Sequence, residues 1–295
     1  MRRLTNVLFL ALISSSLTSC FVSSDSGKTY ELVQPTFQHV YLDNEYIRYN
    51  FTGDRIIGGS TGSISGALET VWKIAGNVND PLNPGTLLPP FTTALSTLSI
   101  AGEEDISSIQ YLTQSQSTDS TDYGSIFLHA FDGQPPGFWI DTNNDPSNLE
   151  KVQTLWSPFQ DDSQGIDVIG QQRSVSFTIM SGCTPPRCTN ANVAQYSETY
   201  KVTGITTNPI STLLGDFNAY QVDYNGTITA SNITLAALVD IRAACAIHST
   251  ATQVTFSGSA YIYPTIGPIM IDNHCNSGGA TFNTRSYISA TNISF

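Results

Sequence analysis

Charge is scarce in this 295-residue chain: Asp, Glu, Lys and Arg together make up 12% of it, about half the usual globular share. Basic residues number only 12 against 24 acidic ones, a net charge of −12. No basic cluster exists beyond Met1-Arg2-Arg3. That excludes nucleic acid as a partner, and electrostatic docking on anionic lipid, because phosphate recognition needs grouped Lys and Arg. No apolar run reaches the length of a transmembrane helix. No Gly-rich phosphate loop, no paired carboxylates and no internal repeat stand out, and no cofactor is implied.

Ser, Thr, Asn and Gly fill the place of the missing charge, a profile of β-rich extracytoplasmic proteins that solvate their outer faces with hydroxyls and amides. Hydrophobic residues are 40% of the chain, and its length supports one large β domain or two modest ones.

Arg2 and Arg3 form a positive n-region, "LTNVLFLALI" an apolar h-region too short to span a bilayer, and Ser14 to Ser16 a small-residue stretch. The segment closes on Leu17-Thr18-Ser19-Cys20, which resembles the lipobox of bacterial lipoproteins. The resemblance implies that residues 1–19 are a signal peptide and that the Cys20 sulfur takes a diacylglyceryl group. The new amine of Cys20 would then be acylated, palmitate being the usual chain type. Several chains on one residue anchor stably. Phe21 is not the Asp that retains some lipoproteins in the inner membrane, so the expected address is the outer membrane, periplasmic or surface-facing. Loss of Arg2 and Arg3, with no acid, takes the net charge from −12 to −14. Residues 20–30 read as a lipid-anchored tether, and the sequons at Asn50, Asn225, Asn232 and Asn292 as chance matches.

Four cysteines remain, an even number in an exported chain. "CTPPRC" closes a tiny loop, and Cys245 and Cys275 flank one strand-like segment. The expected pairs are Cys183–Cys188 and Cys245–Cys275, contributing about 2 and about 3.7 kcal/mol on the chain-entropy model. The rival reading is a metal site at Cys245 and Cys275 with nearby His248 and His274.

Period-2 patterning marks the second half. Val175, Phe177 and Ile179 alternate with Ser and Thr, and Tyr200 shares a face with Val202. Tyr220, Val222 and Tyr224 oppose Gln221 and Asp223, with a hairpin turn expected at Asn225-Gly226. Val254, Phe256, Ala260 and Ile262 line one side of the next strand, and "SYISATNISF" closes the chain. "TLAALVDIRAACAI" breaks the pattern, with Leu235, Leu238, Val239 and Arg242 at helical spacing and Thr234 as N-cap. It predicts one short helix lying on the sheet, with a buried strand as the alternative. In the first half, "HVYLDNEYIRYNFTG" and "SIFLHAF" read as strands and "ALETVWKIAG" as a helical turn. "NDPLNPGTLLPPF" and "TQSQSTDSTDYG" read as loops. The Pro- and Asx-rich "DGQPPGFWIDTNNDPSN" suggests a boundary between a part at 31–150 and a part at 151–295, although 31–295 also fits a single domain.

"GDFNAYQVDY" and "YIYPTIGPI" resemble segments of exported bacterial β-sheet lipoproteins of the curved half-barrel type, over about residues 196 to 275. The resemblance implies a curved antiparallel sheet partly covered by helix, with Gly215 starting a strand and Pro264 and Gly267 bending the chain. Residues 231 to 252 form an insertion relative to the short connection expected there. The expected fold is therefore mainly β, a curved antiparallel sheet, half-barrel or sandwich, with one short helix.

Two motifs carry possible chemistry. "GGSTG" fits G-x-S-x-G, making Ser60 a serine-hydrolase nucleophile, with His248 or His274 as base and Asp167 or Asp240 as orienter. The motif lacks the preceding parallel strands of that fold, so a Gly/Ser loop is the plainer reading. Asp141, Asn143 and Asp145 alternate like the start of a calcium loop, with Asp161, Asp162 and Asp167 nearby. However, Pro146 stands where the loop needs Gly, and Asx-Pro turns explain the stretch without metal. Trp72, Trp139 and Trp156 could line a lipid or glycan pocket, though aromatics in β proteins are more often core. Ile293 and Tyr287, placed on one face of the final strand, partly resemble the closing signal of a membrane barrel, but lipid-facing alternation is missing. The composite expectation is a membrane-anchored envelope lipoprotein without enzymatic activity. It binds an apolar or envelope ligand or serves as an interaction module; a serine hydrolase using Ser60 is the alternative.

Overall fold

The computed structural model describes residues 27–33, 39–74, 91–114, 126–131, 138–141, 152–153, 168–181 and 192–294. Its strands are β1 (Thr29–Tyr30), β2 (Tyr46–Ile57), β3 (Ser60–Ile74), β4 (Thr92–Ile100), β5 (Ile106–Gln114), β6 (Ile126–Phe131), β7 (Phe138–Asp141) and β8 (Val152–Gln153). They continue with β9 (Gln172–Ser181), β10 (Asn192–Ile205), β11 (Ile210–Thr212), β12 (Gly215–Phe217) and β13 (Tyr220–Ala230). After a helical stretch come β14 (Gln253–Tyr263), β15 (Gly267–Ser277) and β16 (Ala280–Thr291).

The large sheet is antiparallel and runs β5-β4-β3-β2-β16-β15-β14-β13-β10-β9-β7-β6, after which β6 pairs back onto β5. Twelve strands thus close into a barrel, with β8 added beside β7 on β6. The mainly β, antiparallel fold expected from the alternation is present, with the curvature that the resemblance implied, and closure carries the half-barrel to a full ring. Among the described residues, closure leaves no long unpaired edge to template aggregation. Both halves of the chain contribute strands to this one ring. A small sheet, β1-β12-β11, sits at one end, where Tyr30 stacks on Phe217 with centroids 4.5 Å apart. Thr29 and Tyr30, the last residues of the stretch read as a tether, are therefore paired structure.

Alternation sorts the two faces of the wall. Inward positions carry Ile47, Tyr49 and Phe51 on β2, Val222, Tyr224 and Ile228 on β13, and Val254 and Phe256 on β14, all buried. Outward positions on β10, β13 and β14 carry Ser197, Thr199, Lys201, Gln221, Asp223, Asn225, Thr227, Thr255 and Ser257. This outer coat of hydroxyls, amides and charges is the opposite of the apolar belt a lipid-facing barrel needs.

Four local expectations are corrected. "ALETVWKI" is the second half of β3, not a helical turn. Leu68, Thr70 and Trp72 face inward at period 2, and Trp72 stacks on Tyr41 with centroids 3.9 Å apart. Asn225-Gly226 is no turn: β13 runs straight through it. A Cβ on Gly226 would come 2.2 Å from Phe256 Cζ, so this glycine makes room for an aromatic ring across the strand. The face assignment of the last strand fails at a bulge between Ile288 and Ala290. The extra residue there turns Thr291 and Ile293 inward, both buried. Finally, the single helix lying on the sheet is two pieces inside the barrel. The turn through Pro264 does bend the chain as expected, with Gly267 at φ +96° opening β15.

Candidate functional site

Residues 231–252, the insertion between β13 and β14, fold into the lumen and return to their starting point, where Ala230 N donates to Thr252 O at 2.9 Å. Helix α1 (Leu235–Val239) makes one turn and stops at Asp240, whose φ of −146° and ψ of 114° are extended. The Asp240 carboxylate then accepts from Arg242 N at 2.9 Å and starts a 3-10 helix over Ile241–His248. Thr234 at the N-cap makes no side-chain cap contact and bonds instead to the Asn232 side chain. Ala236, Ala237, Ala243, Ala244 and Ala246 are buried. Their small side chains let a polypeptide backbone fit a lumen already crowded by aromatic rings. We call this stretch the plug.

Three wall side chains satisfy plug carbonyls. Ser108 Oγ donates to Leu238 O, Gln110 Nε2 to Val239 O at 3.3 Å, and Asn273 Nδ2 to Arg242 O at 2.9 Å. These bonds matter because an unpaired buried carbonyl costs about 1–3 kcal/mol. The expected Cys245–Cys275 disulfide is present and ties the plug to β15, with Cα atoms 5.8 Å apart. It removes the metal reading of those two thiols.

A buried charge cluster lies at the plug's kink. The Arg242 guanidinium donates to Asp240 through Nε and Nη2, and to Glu198 Oε1 through Nη1 at 2.6 Å. It lies over the rings of Tyr224 and Phe256, 4.5 and 4.9 Å from their centroids, a desolvated cation–π arrangement. Tyr196 Oη stands 2.7 Å from Glu198 Oε2 and 3.0 Å from Asp240 Oδ2, with one proton to share between them. Burial alone would lower the Arg242 pKa, but Asp240 and Glu198 outweigh it and hold it well above its ordinary value. Burial, reinforced by the same two carboxylates, pushes the Tyr196 phenol well up. The arginine is thus a fixed cation and the tyrosine a fixed donor.

Beside this cluster the packing opens into a cavity of about 110 Å³. Thr70, Ser96, Ser108, Gln110, Glu198, Asp240 and Arg242 are the polar side chains of its lining, and Leu68, Leu128, Phe177, Leu238, Pro268 and Ile271 are apolar ones interleaved with them. A second void of about 50 Å³ lies beyond Ile241 and Arg242, mainly among Phe51, Ile64, Leu98 and Phe282. The kink of the plug is the partition between the two.

The other residues singled out in the sequence do not converge. Ser60 opens β3 after the Gly58-Gly59 turn, exposed on a strand–turn–strand hairpin instead of a strand–turn–helix elbow. His248 Nε2 lies 2.9 Å from Glu103 Oε2, and the other oxygen of that carboxylate, Oε1, pairs with Arg55. His274 faces outward on β15 and bonds Asn283, while Asp240 is committed to Arg242. Cys20, Cys183, Cys188, Asn143, Asp145, Asp161, Asp162 and Asp167 lie outside the described residues, and Asp141 is described only as the last backbone position of β7. Among the described residues no three or more His, Cys, Asp or Glu side chains gather in a metal-holding group. Glu198 and Tyr196 were missed by sequence reasoning. The available signal was a charged pair, Asp240 and Arg242, inside an otherwise apolar stretch.

No protein-family model matches the chain, and no curated protein matches it. Among solved structures it is similar to a "putative lipoprotein" from Parabacteroides distasonis ATCC 8503, at 10% identity over 88% of this chain and 98% of that one, with a TM-score of 0.37. It is also similar to a β-barrel-like protein of the domain of unknown function DUF1849 from Brucella abortus, at 8% identity over 87% and 100% of the two chains, with a TM-score of 0.33. At those scores neither likeness carries an argument about this chain.

Proposed function

We propose that this chain is a bacterial envelope lipoprotein, held in the outer membrane through acylated Cys20, whose barrel binds a small amphipathic molecule in its lumen without transforming it. The anchor rests on the signal-like residues 1–19 and the Leu17-Thr18-Ser19-Cys20 box. The binding role rests on one observation, the cavity of mixed polar and apolar lining beside the Arg242 cluster. At about 110 Å³ it is smaller than the ~150 Å³ cavity known to take benzene. A compound with a short apolar body and one polar head fits; a long acyl chain does not. Arg242 also lines the cavity and pairs with both Glu198 and Asp240, leaving one negative charge in excess, which favours a neutral or cationic head over an anionic one. A binding role without chemistry is also supported by the dispersal of Ser60, His248, His274 and Asp240 among separate contacts.

Thermal unfolding with n-butanol, n-butylamine and n-butyrate tests this reading. The alcohol or the amine is expected to raise the melting temperature and butyrate to leave it unchanged. Ser96→Leu, which fills the cavity, is expected to abolish the shift. Equal indifference to all three probes would overturn the ligand role.

A further inference from the structure

The barrel has two chemically different ends, and the register of the ring assigns the termini of its long strands to one or the other. One end gathers the start of β2, the end of β3, the start of β9, the end of β10 and the turn between β14 and β15. The β1-β12-β11 sheet is attached there, through Tyr263 Oη donating to Glu31 O at 3.1 Å. Among the described residues seven large hydrophobic side chains are exposed, and five of them sit at this end: Leu42, Ile74, Ile169, Ile205 and Leu213. Leu42 and Ile74 sit by the ends of β2 and β3, Ile169 and Ile205 by those of β9 and β10 elsewhere on the ring, and Leu213 in the small sheet, so they form a rim and not one patch. Leu213 is 59% exposed in the two-residue turn between β11 and β12. The three described lysines, Lys28, Lys73 and Lys201, are exposed at the same end. The opposite end carries the acidic Glu103-Glu104-Asp105 turn and the glycine turns at 58–59 and 278–279.

The chain from Cys20 arrives at the apolar end. Thr29 and Tyr30 pair in parallel with Asp216 and Phe217, so Lys28 lies beside the base of the Leu213 turn. Eight residue steps separate Cys20 from Lys28, which span at most about 28 Å. The eleven residues of β14 measure about 36 Å along the strand. A tether that short keeps its own end of the barrel near the bilayer.

We propose that this rim is a bilayer-docking face. Resting on the acylation of Cys20 proposed above, it sets the barrel upright, with Leu213 and its rim partners in the headgroup region and the Glu103-Glu104-Asp105 turn pointing away. Exposed Leu and Ile gain by leaving water, and lysine stems lie along the apolar surface with their ammonium groups at phosphate level. Asp43 and Asp216 lie at the same end, so apolar insertion and the acyl anchor drive docking, not net charge. The polar outer wall disfavours a barrel lying on its side.

The test places an environment-sensitive fluorophore on Leu213→Cys or on Glu104→Cys in the mature acylated protein. Each is reconstituted into phosphatidylethanolamine/phosphatidylglycerol vesicles carrying brominated acyl chains. Expected is a blue shift with several-fold quenching at position 213 and neither at 104. Quenching at 104, or none at 213, overturns the proposal. An intact mass without acyl chains would refute the anchor instead; the docking claim is then decided by the same two labels on protein coupled through Cys20 to a maleimide lipid. Leu213→Asp, at an exposed turn that leaves the core intact, is expected to halve or abolish vesicle contact at the labelled Ile74→Cys position.

Discussion

Arg242 and Glu198 stand 44 residues apart in the chain and 2.6 Å apart in the barrel. That contact joins the plug to β10 across the lumen, with Asp240 and Tyr196 completing a network in which each member is desolvated. Removing the cation alone leaves two buried carboxylates unpaired, which costs about 3–5 kcal/mol. Arg242→Met is therefore expected to lower the urea midpoint far more than Glu198→Gln, which keeps the neighbouring hydrogen bonds. Equal midpoints for the two variants would contradict the network.

The Cys245–Cys275 bridge closes a separation of 30 residues and pins the same plug to β15. On the chain-entropy model its loss costs about 3–4 kcal/mol. The double variant Cys245→Ala/Cys275→Ala should remain folded with a clearly lowered midpoint. It should also show faster hydrogen exchange within 235–248 than in β14, because the plug loses its covalent tie before the wall does.

Alkaline pH should unfold the protein cooperatively. Burial pushes the Tyr200 phenol up to about 12, against an ordinary value of about 10. Burial first, and nearby carboxylates second, raise Tyr41 and Tyr196 further. A folded-state pKa above the unfolded one means that this stabilisation is whole below about pH 10 and is lost as pH rises toward the folded value. Phenolate absorbance should accordingly rise in two stages, exposed tyrosines first and buried ones together with loss of β-sheet circular dichroism. A single smooth titration of all tyrosines in a folded protein would be inconsistent with the lumen described here.

Gly226→Ala should destabilise by about 1–3 kcal/mol, the usual cost of overpacking. The new methyl meets the Phe256 ring, which is 1% exposed. Adding Phe256→Leu is expected to restore part of the loss, which melting temperatures of the single and double variants will show.

The same glycine shows where sequence reading stops. Alternation in residues 172–181, 220–224 and 253–262 identified the inward faces of β9, β13 and β14, because a two-residue period is local. Asn225-Gly226 looked like a turn because turn chemistry is local too, whereas the reason for Gly226 is a ring on another strand. The apolar run at 235–247 announced a helix, but not that it lies within the barrel, since lumen and outer surface offer a helix the same buried stripe. Closure of the ring through β5 and β6 is a long-range pairing without a local signature. The Cys245–Cys275 pair was legible from spacing and compartment; Glu198 was not, as one carboxylate in an alternating strand normally faces water.

A fluorophosphonate probe addresses the hydrolase alternative. With Ser60 on a hairpin and both histidines engaged elsewhere, the wild-type protein and Ser60→Ala are expected to remain equally unlabelled.

The central claim, a lipid-anchored barrel with a small-molecule site in its lumen, is tested most directly by native mass spectrometry of the protein extracted from bacterial membranes. The account predicts an N-terminus at residue 20 bearing acyl mass, together with a small adduct that is released on unfolding and absent from Ser96→Leu. An unacylated chain of bare protein mass, unchanged after incubation with n-butanol or n-butylamine, would contradict it.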